Sequence, residues 1–119
     1  MTKPLRGALI GCGFFAQNHL HAWKGMAGVD LVAVCDIDRA KAEAAAAAFG
    51  VAGVYSDAAA MLTAERPDFV DIATTSASHR ALVELAAAQG AAAICQKPFA
   101  DTLEDAQAMV AACARAGVP

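Results

Sequence analysis

Short apolar runs alternate with longer amphipathic stretches along the whole chain. "LRGALI" (Leu5 to Ile10) is largely apolar and is stopped by glycine, the pattern of a strand covered on both faces. In "FFAQNHLHAWKGM", Ala16, Leu20 and Trp23 recur at i, i+4 and i+7, which predicts a helix with those residues inward. "VDLVAVC" (Val29 to Cys35) predicts a second strand. Asp38 can cap the helix "RAKAEAAAAAF", and Gly50 stops it. "GVY" around Val54 is a short third strand. Asp57 can cap "AAAMLTAE", which Pro67 ends. "DFVDIAT" (Asp68 to Thr74) is a fourth strand, and Ser76 or Ser78 opens "HRALVELAAAQ", closed by Gly90. "AAAIC" (Ala91 to Cys95) is a fifth strand. Thr102 with Asp105 then makes a start like a capping box for "LEDAQAMVAACARA", which ends at Gly117.

Strict β-α alternation with short connections implies parallel strands joined by right-handed crossovers. The fold class expected is α/β, a doubly wound parallel sheet of five strands in the order 3-2-1-4-5. Residues 1–119 form one domain on this reading. Val118 and Pro119 resemble the entry to a sixth strand, so the expectation is a truncated chain that lacks that strand and a second domain. The fifth strand would then present an apolar edge open to self-association.

Composition narrows the function classes. Although 58% of residues are hydrophobic, no apolar run reaches the roughly 18–20 residues that span a bilayer. The apolar segment of "MTKPLRGALIG" is broken by Gly11 and Gly13 and is followed by no cleavage pattern, which excludes a signal peptide and places the protein in the cytoplasm. The net charge is −3 and the basic residues are scattered, so no stripe for nucleic acid is present. The four cysteines form no CxxC pair, and no metal site is expected. Cys12, Cys35 and Cys95 nevertheless fall at the carboxyl ends of predicted strands, where this fold class places its ligand.

The first of those strand ends carries the clearest chemistry. Gly11, Gly13 and Ala16 form a GxGxxA motif that follows a strand and opens a helix. Gly11 permits the tight turn. Gly13 lacks a Cβ, so a pyrophosphate can approach the backbone, and Ala16 lets helix and strand pack closely. Phe14 and Phe15 lie within the turn whose free N–H groups and positive dipole end would receive the phosphates. Asp36 stands 20 residues after Ala16 at the tip of the second strand, placed to accept hydrogen bonds from the adenosine ribose. A carboxylate there favours NAD. Arg39, close by in sequence, could pair with a 2′-phosphate and leaves NADP open.

Thr74, Thr75 and Ser76 follow the fourth strand, near the middle of such a cofactor. His79 falls in the next helix's first turn, where it either contacts the cofactor or serves the structure. For His19 and His21 the structural reading is the plainer one. Lys97 follows the fifth strand directly, and Pro98 restricts its backbone. A lysine held there can hydrogen-bond a substrate hydroxyl or carbonyl and assist proton transfer, or it can be a plain loop lysine.

"GCGFFAQNHL", "LVAVCDIDRAKAEAAAAAFG", "VYSDAAAML", "PDFVDIATTSASH" and "ICQKPFADTLEDAQAM" together resemble the N-terminal Rossmann domain of the glucose–fructose oxidoreductase, inositol dehydrogenase and rhizopine-catabolism (Gfo/Idh/MocA) family. The resemblance implies an NAD(P)-dependent oxidoreductase acting on sugars, cyclitols or related polyols. It implies that Gly11, Gly13 and Ala16 hold the pyrophosphate and that Asp36 holds the ribose. Thr74, Thr75 and His79 match the family's Thr-Pro-x-x-x-His segment near the cofactor, and Lys97 matches the lysine of its Glu-Lys-Pro motif. Thr75 replaces the usual proline and Gln96 the usual glutamate. The resemblance also implies a C-terminal substrate domain with catalytic Asp and His residues. Without that domain, the cofactor half is expected to be catalytically silent, with Lys97 as an incomplete site. Two alternatives stand beside this: a free-standing NAD-binding sensor or scaffold module, and a domain for another adenine-bearing ligand such as a methyl donor or flavin.

Overall fold

The structure, a computed structural model, describes residues 3–119. Five strands alternate with five helices: β1 (Leu5–Ile10), α1 (Ala16–Lys24), β2 (Val29–Cys35), α2 (Arg39–Phe49), β3 (Gly53–Tyr55), α3 (Ala58–Glu65), β4 (Phe69–Ile72), α4 (His79–Ala88), β5 (Ala92–Cys95) and α5 (Leu103–Ala116). The strands form one sheet in the order β3-β2-β1-β4-β5, and each neighbouring pair is parallel. The fold is therefore the doubly wound α/β sheet that the alternation predicts. No described helix is long and apolar enough to cross a membrane.

Successive residues of a strand face opposite sides, and here both sides are covered. Ala8, Ile10, Val70 and Ile72 pack with Met61, Leu62, Val83 and Met109 beneath α3, α4 and α5. Leu9, Leu31 and Val34 pack with Ala16, Leu20, Ala42 and Ala45 beneath α1 and α2. This two-sided burial is why the central strands read as continuous apolar runs rather than alternating ones. The alanine-rich α2 buries Ala42, Ala45 and Ala46 and turns its other alanines to solvent.

α1 is also held by polar contacts. On β4, the buried Asp71 carboxylate accepts through Oδ2 from His19 Nδ1 at 2.6 Å and Trp23 Nε1 at 2.7 Å. His19 and Trp23 lie one helical turn apart, so a single oxygen anchors one face of α1 to the sheet. His21 instead meets the Phe49 ring edge-on, with centroids 4.8 Å apart.

Several element ends depart from expectation. The fourth strand stops at Ile72 rather than Thr74. Neither Ser76 nor Ser78 caps α4 with its side chain. A 3-10 turn, Ser76–Ser78, leads into it instead. α3 ends one residue before the position next to Pro67, because a residue preceding proline disfavours helical backbone. Arg66 there adopts φ 46°, and its amide bonds the Leu62 carbonyl. The α5 capping box is half formed. Thr102 Oγ1 accepts from the Asp105 amide at 3.0 Å, while the Asp105 carboxylate turns away to Arg80 Nη1, also at 3.0 Å. Beyond α5 the chain returns along β5, where the Pro119 carbonyl accepts from the Ala93 amide at 3.1 Å.

Candidate functional site

β1 and β4 are adjacent at the centre of the sheet, while the chain leaves β1 toward one face and β4 toward the other. A crevice opens at their carboxyl ends, where a doubly wound sheet binds its ligand. It encloses about 700 Å³. Gly11, Gly13, Phe14, Phe15, Ala16, Asp36, Thr74 and Thr75 all line it, so the structure brings these eight expected residues together.

The floor is the β1–α1 turn. Gly11 has φ +101°, and a Cβ built on it would lie 2.6 Å from the Ala73 carbonyl oxygen. The position is closed to any side chain by both backbone conformation and the neighbouring β4 crest. Gly13 differs: a Cβ there meets nothing within 4 Å. The fold does not require glycine at 13, and only something entering the crevice would be obstructed. Among the described residues, the amides of Gly13, Phe14 and Phe15 have no intrachain acceptor. They are the free donors at the N-terminal end of α1. Unpaired amides, the positive end of a helix and an open approach together fit a phosphate diester. Phe14 and Phe15 put these amides in the turn while their side chains stay solvent-exposed.

Asp36 braces this turn. Its Oδ2 accepts from the Cys12 amide and its Oδ1 from the Asp38 amide, each at 2.8 Å. Each oxygen keeps a further acceptor position for a ribose hydroxyl. Asp38 and Asp57 cap α2 and α3 through the amides of Ala40 and Ala60, and both line the same end of the crevice. The thiols beneath respond to this setting. Burial, with the Asp36 charge second, pushes Cys12 up to about 12. Burial, then Asp57, then Asp36, pushes Cys35 up to about 11. Neither thiol is a nucleophile at neutral pH.

Four expected residues lie outside the crevice lining. Arg39 is turned along α2 toward Glu43, with 3.7 Å between Nε and Oε1. Ser76 Oγ hydrogen-bonds the Asp101 carboxylate. Lys97 is exposed in the loop after β5, across a cis peptide to Pro98. His79 is fully buried, with Nε2 3.0 Å from the Thr74 carbonyl and Nδ1 3.0 Å from the Phe99 carbonyl. Its ring is inaccessible to a ligand. Instead it ties the crest after β4 to the loop that carries Lys97. Ser78 Oγ, 2.7 Å from Thr74 Oγ1 and 2.8 Å from the Thr75 carbonyl, knits the same crest.

The crevice also includes residues that sequence reasoning missed: Ile37, Lys41, Ser56 and Leu82. Ile37 is 96% exposed beside Asp36. A large apolar residue directly after the acidic strand end was the available signal for it. Lys41 carried none, since its place depends on how α2 is turned.

The family described as "Oxidoreductase family, NAD-binding Rossmann fold" (Gfo/Idh/MocA) matches residues 5–119. The chain is 67% identical over 118 residues to a D-apiose dehydrogenase of Paraburkholderia graminis, covering 99% of this chain and 32% of that protein. It is 55% identical over 119 residues to a D-apiose dehydrogenase of Rhizobium rhizogenes, covering all of this chain and 34% of that protein. The crystal structure of an oxidoreductase from Agrobacterium radiobacter in complex with NAD+, L-tartaric acid and magnesium superposes with a TM-score of 0.95. The identity is 54%, over 98% of this chain and 34% of that one. The chain thus spans about a third of the length of these relatives.

Proposed function

The chain belongs to the Gfo/Idh/MocA family of oxidoreductases through its NAD-binding Rossmann domain, and on that premise we propose that it is the cofactor-holding third of a sugar dehydrogenase. The observation that carries the proposal is the β1–α1 turn, where the free amides at Gly13, Phe14 and Phe15 border open space at Gly13. These amides hold the pyrophosphate, with Gly11 and Ala16 shaping the turn. The Asp36 carboxylate takes the adenosine ribose, which favours NAD over NADP. Thr74 and Thr75 lie along the nicotinamide half, and Lys97 stands at that end of the crest for contact with substrate. His79 and Ser76 act indirectly, by holding the two crest loops together.

Bound nicotinamide supplies hydride chemistry. The residues described here bind and orient, but they do not include a set that both positions a sugar and moves its hydroxyl proton. The chain alone is therefore catalytically silent on this proposal, and a further domain supplies those groups. The substrate proposed is a sugar, with D-apiose the first candidate from the relatives' names. The four free thiols fit a reducing compartment such as the cytoplasm. Self-association through the part of the β5 edge that Pro119 leaves unpaired belongs to the same proposal, and a monomer by light scattering at high concentration removes it.

Calorimetric titration with NADH tests the central claim. Saturable binding is expected, with NAD+ and D-apiose giving no rise in absorbance at 340 nm. Absence of binding to both NADH and NADPH at millimolar concentration overturns the cofactor assignment, and turnover by the chain alone overturns the claim of silence.

A further inference from the structure

Thr74, Thr75 and Ser78 line the crevice at the crest after β4. Thr74 is held at three points. Its carbonyl oxygen lies 3.0 Å from Nε2 of the buried His79. Its Cγ2 lies 3.0 Å from where a Cβ on Gly11 would stand, so the methyl is turned to the β1–α1 turn. Its Oγ1 lies 2.7 Å from Ser78 Oγ, which is itself 2.8 Å from the Thr75 carbonyl oxygen. Each hydroxyl has a single proton, and the carbonyl only accepts. Two proton orders therefore compete. If Thr74 donates to Ser78 and Ser78 to the carbonyl, the two contacts are 2.7 and 2.8 Å. If Ser78 donates to Thr74 and Thr74 to the carbonyl, the second contact is 3.4 Å. Hydroxyl donors bond oxygen at about 2.5–3.0 Å, so the first order prevails.

We infer that Ser78 is a positioning residue: it takes the Thr74 proton and leaves Thr74 Oγ1 as an acceptor only, selective for a neutral N–H or O–H donor on the nicotinamide half of the dinucleotide. The inference rests on the cofactor reading proposed above. A free threonine hydroxyl rotates to donate or accept as its neighbour requires. Here the methyl is set against Gly11 and the proton is committed to Ser78, so lone pairs are what Thr74 Oγ1 has left to offer. The nicotinamide half carries two kinds of neutral donor, the ribose hydroxyls and the carboxamide NH2. The pyrophosphate and the adenosine ribose are assigned to the free amides before α1 and to Asp36, which belong to other strand ends. Ser78 therefore acts through Thr74 on the nicotinamide half alone.

Calorimetric titrations of ADP, ADP-ribose and NADH against the parent chain, Ser78→Ala, Ser78→Thr, Thr74→Val and the double variant Thr74→Val/Ser78→Ala test this. ADP lacks the nicotinamide half, and ADP-ribose carries its ribose without the ring. Ser78→Ala should weaken NADH about three- to tenfold, the scale of one neutral hydrogen bond, and leave ADP within about twofold. Ser78→Thr keeps the hydroxyl and should bind NADH as the parent does. An ADP-ribose loss equal to that of NADH supports the inference with a ribose hydroxyl as the donor, and unchanged ADP-ribose supports it with the carboxamide as the donor. Thr74→Val should weaken NADH at least as much as Ser78→Ala, and the double variant no more than Thr74→Val alone. Equal loss for ADP and NADH, no loss for NADH, failure of Ser78→Thr to restore it, or a full further loss in the double variant overturns the role of Ser78 and leaves the cofactor reading intact. A parent that does not bind NADH overturns both.

Discussion

Gly11 and Gly13 belong to one motif, yet substitution by alanine should affect them in opposite ways. At Gly13 a Cβ enters open space and the backbone is outside the left-handed region. Gly13→Ala should therefore fold as well as the parent, or gain about 0.4–1 kcal/mol from the stiffer unfolded chain. Its methyl would stand where a pyrophosphate must approach the free amides. Loss of one charge-assisted hydrogen bond costs about 1.5–3 kcal/mol, which is roughly one to two orders of magnitude in NADH affinity. At Gly11 the φ of +101° carries a penalty of about 1–2 kcal/mol for any Cβ. The clash with the Ala73 carbonyl at 2.6 Å adds overpacking of about 1–3 kcal/mol. Gly11→Ala should thus lose about 2–5 kcal/mol of stability before any ligand is considered. Urea denaturation gives the stabilities, and titration of NADH fluorescence gives the affinities. The reasoning is refuted if Gly13→Ala is destabilised as much as Gly11→Ala, or if it binds NADH as tightly as the parent.

Two further perturbations probe the scaffold. His79→Ala removes a buried ring packed between two carbonyls, one of which accepts from it in the neutral form, and should cost about 2–4 kcal/mol in urea denaturation. It should also speed amide hydrogen exchange in residues 96–101, and a change under 0.5 kcal/mol with unaltered exchange would show that the two crest loops are not joined through this ring. The thiols of Cys12 and Cys35 ionise at about 12 and 11 in the fold against 9.0 as free groups. Between these values the unfolded chain has lost protons that the folded chain keeps, so their contribution to stability is complete below about pH 9 and declines as pH rises toward 11–12. Iodoacetamide at pH 8.5 should leave both unmodified until urea unfolds the chain, and native labelling at the rate of a free thiol would contradict this.

Much of the scaffold was legible because its signals are local. Asp38 and Asp57 cap the helices they precede, and Cys35 closes β2 where the apolar run ends. A cap needs only a short acceptor one turn before free amides, which is information carried by neighbours in the chain. Two of the ends that differed were set by partners distant in sequence. Ser76 and Ser78 have the residue type of caps, but Ser76 gives its hydroxyl to Asp101, 25 positions on, and Ser78 turns back to its near neighbours Thr74 and Thr75 rather than forward to its helix. Asp105 likewise gives its carboxylate to Arg80, 25 positions away in sequence, rather than to its own helix.

The sequence by itself determined the order of elements, the glycine turn after β1 and the acidic tip of β2, because hydrophobic period, helix stops and the absence of a Cβ act within a few residues. Only the tertiary structure decided which side chains face the crevice. Arg39 and Lys41 sit two positions apart on one helix, about 200° around its axis, so packing of α2 on the sheet puts Lys41 in the crevice lining and leaves Arg39 outside it, where it meets Glu43 one turn along its own helix. The same holds for Asp36, whose two oxygens brace Cys12 and Asp38, and for His79, whose ring is enclosed between two loops that are distant in sequence. A residue's type announces what chemistry it can perform. Its partners are fixed only once the sheet brings the carboxyl ends of its strands together.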